Sequence, residues 1–182
     1  MHSPRTAAHG FPLGRALLWL GLLIWTISLL RTPLSSLGAS FLHLINLVFH
    51  EAGHIIFAPL GSFMMSLGGS LMQVIVPLVC AGAFYFQQDD RFGASVCVWW
   101  AGESLLDLAP YIDDARSLKL MLLGGPAAAV EGHDWEAILM SVGWLHLDHR
   151  LASAAWLCGA AVMIGSLAYS AFLLRSSLST HA

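Results

Sequence analysis

Five apolar runs, each close to the length of a bilayer span, constrain this chain before anything else does. They cover residues 14–30, 36–60, 67–86, 92–112 and 151–174. About 20 apolar residues in a helix cross the roughly 30 Å of bilayer hydrocarbon. In lipid the backbone must satisfy its own hydrogen bonds, and the runs lack the alternation of a barrel, so each is predicted to be a helix. The expected fold is an all-α integral membrane protein: one domain over residues 1–182, a bundle of about five transmembrane helices, with a polar loop and short helix between the fourth and fifth. Composition agrees, with 57% hydrophobic and 10% charged residues. Soluble domains carry about 25% charged residues, enough to cover a globule. For the first run a cleaved signal peptide is the rival reading; its length, and Arg31-Thr32-Pro33 directly after it, favour a retained helix.

Charge narrows the partners. A net charge of −3 with 8 Lys+Arg argues against nucleic acid and leaves the lipid bilayer as the surrounding medium. Five alternating crossings place Arg5, Arg15, Arg116, Lys119 and Arg150 on one side and Arg31, Arg91 and Arg175 on the other. The positive-inside rule then predicts a multi-pass protein of the cell (inner) membrane, with a cytoplasmic N-terminus and the C-terminus outside. Cys80, Cys97 and Cys158 lie in separate runs without a C-x-x-C pair and read as small buried hydrophobes.

The chemistry-bearing stretch is "NLVFHEAGHIIF", residues 46–57. At about 100° per residue, His43, Asn46, His50 and His54 fall within about 80° of one another on a helix, and Glu51 lies about 60° from His54. His50-Glu51-Ala52-Gly53-His54 has the H-E-x-x-H spacing. Two histidines at i and i+4 aim ring nitrogens at one metal, and the Glu takes a proton from metal-bound water. A lone histidine here would read as a hydrogen-bonded core residue. Three such groups inside an apolar span are expensive unless they have work to do. Gly53 leaves room for a helix or substrate backbone to come close.

A zinc site of this kind needs a third protein ligand and an open position. Asp113 and Asp114, at the C-terminal end of the fourth run, lie at the depth of His50 and His54, and Pro110 can kink or unwind that end. On a straight helix Asp114 shares the face of Glu103 and Asp107. In the polar segment 113–150, His133 and Asp134 are the other candidates, as ligands, as a supporting carboxylate–histidine pair, or as oxyanion stabilisers. The structural alternative makes Asp134 the N-cap of a short amphipathic helix that buries Trp135, Ile138, Leu139 and Val142. Glu103 and Asp107 should face the bundle, bonding a histidine such as His43, lining a water path, or forming a protonated structural pair. Trp99, Trp100, Tyr85 and Tyr111 read as interfacial anchors.

An H-E-x-G-H inside a membrane span, followed two helices later by a Pro and an Asp, resembles the site-2 protease family of intramembrane zinc metalloproteases. That family carries an N-x-x-P…D-G segment whose Asp is the third zinc ligand. Here "DLAP" (107–110) and "DDAR" (113–116) match it, with Asp107 in place of the Asn, a shorter gap, and Asp114-Ala115 replacing the Gly pair. "LGGSLMQVIVPL" (67–78) is similar to the family's Gly-rich loop, with Gln73 in place of its Asn. The resemblance covers residues 36–116. It implies a Zn2+ cofactor held by His50, His54 and Asp113, Glu51 as general base, and a membrane-protein or peptide substrate. In that reading Gly68-Gly69 marks a non-helical segment that pairs with an extended substrate. With no appended regulatory domain, selection falls to the helices, the 113–150 loop or a regulatory membrane partner. The alternatives are a zinc-binding scaffold or chaperone, and a zinc hydrolase of a lipid or other small amphiphile.

Overall fold

Where the apolar runs break decides the elements. In the computed structural model, which describes residues 12–120 and 133–179, all regular elements among those residues are helical. They are α1 (Pro12–Arg31), α2 (Phe41–Phe57), α3 (Ser62–Gln87), α4 (Arg91–Asp113), α5 (Asp134–Ser141) and α6 (Asp148–Ser179). The bundle is an all-α membrane architecture. Pro33 closes α1, and Leu34–Ala39 forms a 3-10 turn. The second run is therefore helical from Phe41 only. Gly61, at φ 96°, supplies the reversal into α3, a conformation open to glycine. Asp90 caps α4 by accepting the Gly93 N–H at 3.0 Å.

The third run is helical from Ser62, so Gly68 and Gly69 lie inside a helix. The non-helical, substrate-pairing role expected for them does not hold. Pro110 also stays inside helix α4 and does not unwind its end.

Four segments are long and apolar enough to cross a membrane: Leu13–Arg31, Phe41–Leu60, Ser62–Gln87 and Leu145–Ser177. Helix α4 has the length, 23 residues, but not the apolarity. Its polar side chains are solvated by protein instead: Ser95, Glu103, Ser104 and Asp107 are all buried. It lies against α6, antiparallel, with Ser95 and Ser170 joined through their hydroxyls at 2.7 Å and Arg116 Nε bonded to Asp148 at 2.6 Å. Midway, Gly102 and Gly159 face each other so closely that a Cβ on either would lie within 2.9 Å of the other's carbonyl oxygen.

Helix directions correct the expected order of crossings. Arg15 near the start of α1 pairs with Asp90 before α4 at 3.2 Å, and its guanidinium lies over the Phe92 ring. Further along, Trp99 Nε1 donates to Thr26 Oγ1 at 2.8 Å. Helices α1 and α4 are therefore parallel, whereas five alternating crossings would make them antiparallel. Helix α3 runs the other way, its Gln73 bonded to Asp107 and its Phe84 against Gly93. Residues 32–61 thus leave one end of the bundle and return to it. Helix α2 opens partway along α4, with His43 on Asp107, and closes beside the start of α3, with His54 on the Met65 carbonyl. By composition α2 qualifies as a span and α4 does not; by direction the reverse is true.

The charge argument for orientation goes with it. Arg31, Arg116, Lys119 and Arg150 lie at one end, and Arg15, Arg91 and Arg175 at the other. The start of α1 and the end of α6 also share an end, where the sequence pointed to opposite sides. Two smaller expectations change as well. Trp99 and Trp100 point into the bundle, Trp99 only 3% exposed, and Cys158 is exposed on α6 while Cys97 is buried.

Candidate metal centre

Helical spacing on α2 stacks His50 and His54, their ring centroids 5.0 Å apart. Helix α3 crosses directly over them. A Cβ on Gly53 would sit 2.2 Å from the Gly68 carbonyl oxygen, and one on Gly69 would meet His50 Nε2 at 2.6 Å and His54 Nε2 at 2.8 Å. The approach that Gly53 allows is made by helix α3, and the Gly68-Gly69 pair is its counterpart.

Both rings are held by their outer nitrogens. His54 Nδ1 donates to the Met65 carbonyl at 2.9 Å, and His50 Nδ1 donates to Gln73 Oε1 at 3.2 Å. The Gln73 amide is oriented in turn, because its Nε2 donates to Asp107 Oδ2 at 2.8 Å. Acceptors on both outer nitrogens leave the two Nε2 atoms free to serve as ligands. Opposite them stands Asp134, with Oδ2 at 3.3 Å from His50 Nε2 and 3.2 Å from His54 Nε2. Among the described residues His50, His54 and Asp134 form a group whose ligand atoms all lie within 4.8 Å of one another. Three converging acceptors repel unless a cation lies between them. The donor set, two imidazole nitrogens and a carboxylate oxygen, fits a divalent metal ion. Burial works against a charge on Asp134, but the His50 and His54 rings outweigh it and hold this carboxyl well below the usual range.

Local structure explains why Asp134 is available. The side chain that caps α5 is His133, whose Nδ1 accepts the Glu136 N–H at 3.3 Å. Asp134 is the first helical residue, and its carboxylate is free to face α2. The cap expected at Asp134 lies one residue earlier. Ile138 and Leu139 are buried as the amphipathic pattern required, while Val142 is exposed. His133 Nε2 is buried without a hydrogen-bond partner, 3.6 Å from Asp114; burial pushes this imidazole down, and Asp114 only partly offsets it.

Asp113 and Asp114 take other places. Asp113 is bonded to His149 Nδ1 at 2.5 Å on the surface. Because α4 stays helical past Pro110, Asp113 lies about 200° around the axis from Tyr111, and Tyr111 is the residue that faces the histidines. Asp114 closes the turn after α4, accepting the Ser117 hydroxyl and the Lys119 and Leu120 N–H groups at 2.9 Å each. Burial opposes its charge, yet these bonds keep its carboxyl below the ordinary value. Glu51 is exposed, about 60° around the helix from His54.

Behind the rings lies a buried polar layer. Asp107 accepts from His43 Nδ1 at 2.9 Å and Asn46 Nδ2 at 3.2 Å. Asn46 Nδ2 also donates to Glu103 Oε2 at 2.9 Å, and its Oδ1 accepts from Trp100 Nε1 at 2.9 Å. The expected Asp107–His43 contact is present, and Asp107 reaches His50 through Gln73. Two site residues were not legible as such. Gln73 was matched only to the Asn of the family's Gly-rich loop, with no role at the histidines assigned to it, and Tyr111, read as an interfacial anchor, had no signal beyond its place after Pro110. Tyr111 donates to Asp134 Oδ2 at 3.0 Å.

No family model, curated protein or solved structure matches this chain. Its chemistry rests on the geometry of these side chains.

Proposed function

We propose that the protein is an intramembrane zinc metallopeptidase, similar to the site-2 proteases, that hydrolyses peptide bonds in membrane or membrane-proximal substrates. The observation that carries this reading is the convergence of His50 Nε2, His54 Nε2 and Asp134 Oδ2 on one point, beside the exposed Glu51. Asp134 takes the place that the resemblance assigned to Asp113. A closed structural site needs four protein ligands and no base; three converging donors and a neighbouring carboxylate favour an open, hydrolytic one over a scaffold.

Zinc bound there would supply an activated water and a polarised carbonyl. The chain's own residues supply the rest. Glu51 accepts the proton of the attacking water and passes it to the leaving amine. The Met65 carbonyl and Gln73 hold the two imidazoles in the ligating tautomer. Helix α2 presents Glu51 on the side that also exposes Leu44, Val48 and Ile55, so a lipid-embedded substrate reaches the base without crossing the bundle.

The test is elemental analysis of detergent-purified protein with cleavage of a membrane-spanning peptide in micelles. One zinc per chain is expected, lost in His54→Ala and Asp134→Ala and kept in Asp113→Ala, with Glu51→Gln keeping the metal and losing cleavage. Absence of zinc in the parent after supplementation overturns the reading. Zinc with hydrolysis of an ester amphiphile but no peptide moves the assignment to a lipid or amphiphile hydrolase.

A further inference from the structure

We propose that Tyr111 is a positioning residue for this centre, one that fixes the ligating oxygen of Asp134; the inference rests on the metal-site reading above. Asp134 is the only one of the three donors that does not come from α2. It sits on α5, a helix of eight residues, and must meet two rings carried by a different element. The other ties on α5 hold the helix and not the carboxylate. Trp135 Nε1 donates to Ser70 Oγ at 3.2 Å, His133 caps the first turn, and Ile138 and Leu139 are buried. None of them sets the rotation of the Asp134 side chain.

Tyr111 does. Its hydroxyl accepts the backbone N–H of Asp134 at 3.1 Å and lies 3.0 Å from Asp134 Oδ2. A phenol has one proton to give. Since the hydroxyl accepts from the N–H, its own proton points to Oδ2. One hydroxyl therefore clamps the main chain and one carboxylate oxygen of the same residue, and that oxygen is the one facing both Nε2 atoms. The ring is fixed in turn between His50, with centroids 5.8 Å apart, and His133, with centroids 4.3 Å apart. It is carried by α4, the most deeply buried helix. The orientation of the third donor is thus set from the rigid centre of the bundle.

Groups that orient a metal ligand typically contribute 10–100-fold in metal affinity. The experiment uses the full chain in detergent micelles, with zinc affinity from chelator competition and the visible spectrum of the cobalt(II) form. Tyr111→Phe keeps the ring and removes only the hydroxyl. The expected result is zinc binding weakened roughly 10–100-fold, with an altered cobalt(II) spectrum and unchanged helical content. Because Tyr111 acts through Asp134, Tyr111→Phe should add nothing to the affinity lost in Asp134→Ala, the signature of coupled residues. Unchanged affinity and spectrum in Tyr111→Phe, or a double variant weaker than Asp134→Ala by the full single effect, overturns the inference. If the parent binds zinc, Asp134→Ala weakens it and Tyr111→Phe does not, this inference alone fails. If the parent binds none, both readings fail.

Discussion

Gly69 lies so close to His50 that a Cβ there would stand 2.6 Å from the ring's Cδ2 and Nε2 atoms. The ring cannot step aside without breaking its bond to Gln73. Gly53, on the facing helix, meets main chain instead, with a Cβ position 2.2 Å from the Gly68 carbonyl oxygen and 2.9 Å from the Gly69 Cα. The two glycines therefore fail differently. Gly53→Ala forces α2 and α3 apart, and overpacking of this kind costs about 1–3 kcal/mol, so it should lower the thermal midpoint in detergent. Gly69→Ala displaces ligand atoms, so it should lower zinc content more than it lowers the midpoint. Equal thermal losses with zinc retained in both would show that Gly69 is a packing residue only.

Gln73 is the link between the His50 ring and the buried acid layer. Its carbonyl oxygen receives His50 Nδ1–H and its amide donates to Asp107. Replacing it with Leu leaves His50 without an acceptor and Asp107 short of one donor. Such outer partners usually matter 10–100-fold to metal affinity, and a loss of that order is expected in Gln73→Leu. His43, which also bonds Asp107 but supplies no acceptor to His50 Nδ1, should matter less in the same zinc competition assay. The reverse ranking would mean that His50 is oriented by something other than Gln73.

The apolar runs and the polar stripe of α2 were legible in the sequence because each depends on local chemistry. Hydropathy finds a helix in lipid, and 3.6-residue periodicity puts His43, Asn46, His50 and His54 on one face. The direction of each helix was not legible, because an apolar run looks alike read from either end. Two residues explain much of the error at the site. Pro110 reads as a helix breaker, yet near the end of a packed helix it stays helical and turns Tyr111, not Asp113, toward the rings. Asp134 reads as an N-cap because aspartate is favoured there, and His133 takes that job, which frees the carboxylate to reach across to α2.

Asp114 gives the protein a pH-dependent element outside the membrane segments. Its carboxylate accepts the Ser117 hydroxyl and two backbone N–H groups, and its folded value lies below the ordinary one. A depressed carboxylate contributes stability above its unfolded value, about 3.9, and loses it as pH falls through the folded value. The thermal midpoint of the parent should therefore drop more between pH 6 and pH 3, roughly the window around that unfolded value, than the midpoint of Asp114→Asn. The variant should already be less stable at pH 6. Parallel curves for the two proteins would remove Asp114 from the acid response.

The parallel course of α1 and α4 makes a prediction about the membrane that the sequence would have reversed. Arg15 on Asp90 and Thr26 on Trp99 put the start of α1 at the α3–α4 turn. The end of α6 belongs there too, since Ser170 meets Ser95 near the start of α4. The opposite end carries Arg31, Arg116 and the candidate metal-site residues Asp134 and His54. Membrane-impermeant thiol labelling in intact cells, with single cysteines introduced into a chain whose three cysteines are replaced by Ser or Ala, reads these positions directly. Cysteines at Gly14 and Ser176 should label from one side and cysteines at Thr32 and Ser117 from the other, whereas five alternating crossings would pair Gly14 with Ser117 and Thr32 with Ser176. Five full crossings would instead separate Ser176 from a tag at the N-terminus and leave α1 antiparallel to α4. A disulfide between cysteines placed at Arg15 and Asp90 is expected only for the parallel arrangement, because in the alternating one those positions lie on opposite sides of the hydrocarbon, about 30 Å apart.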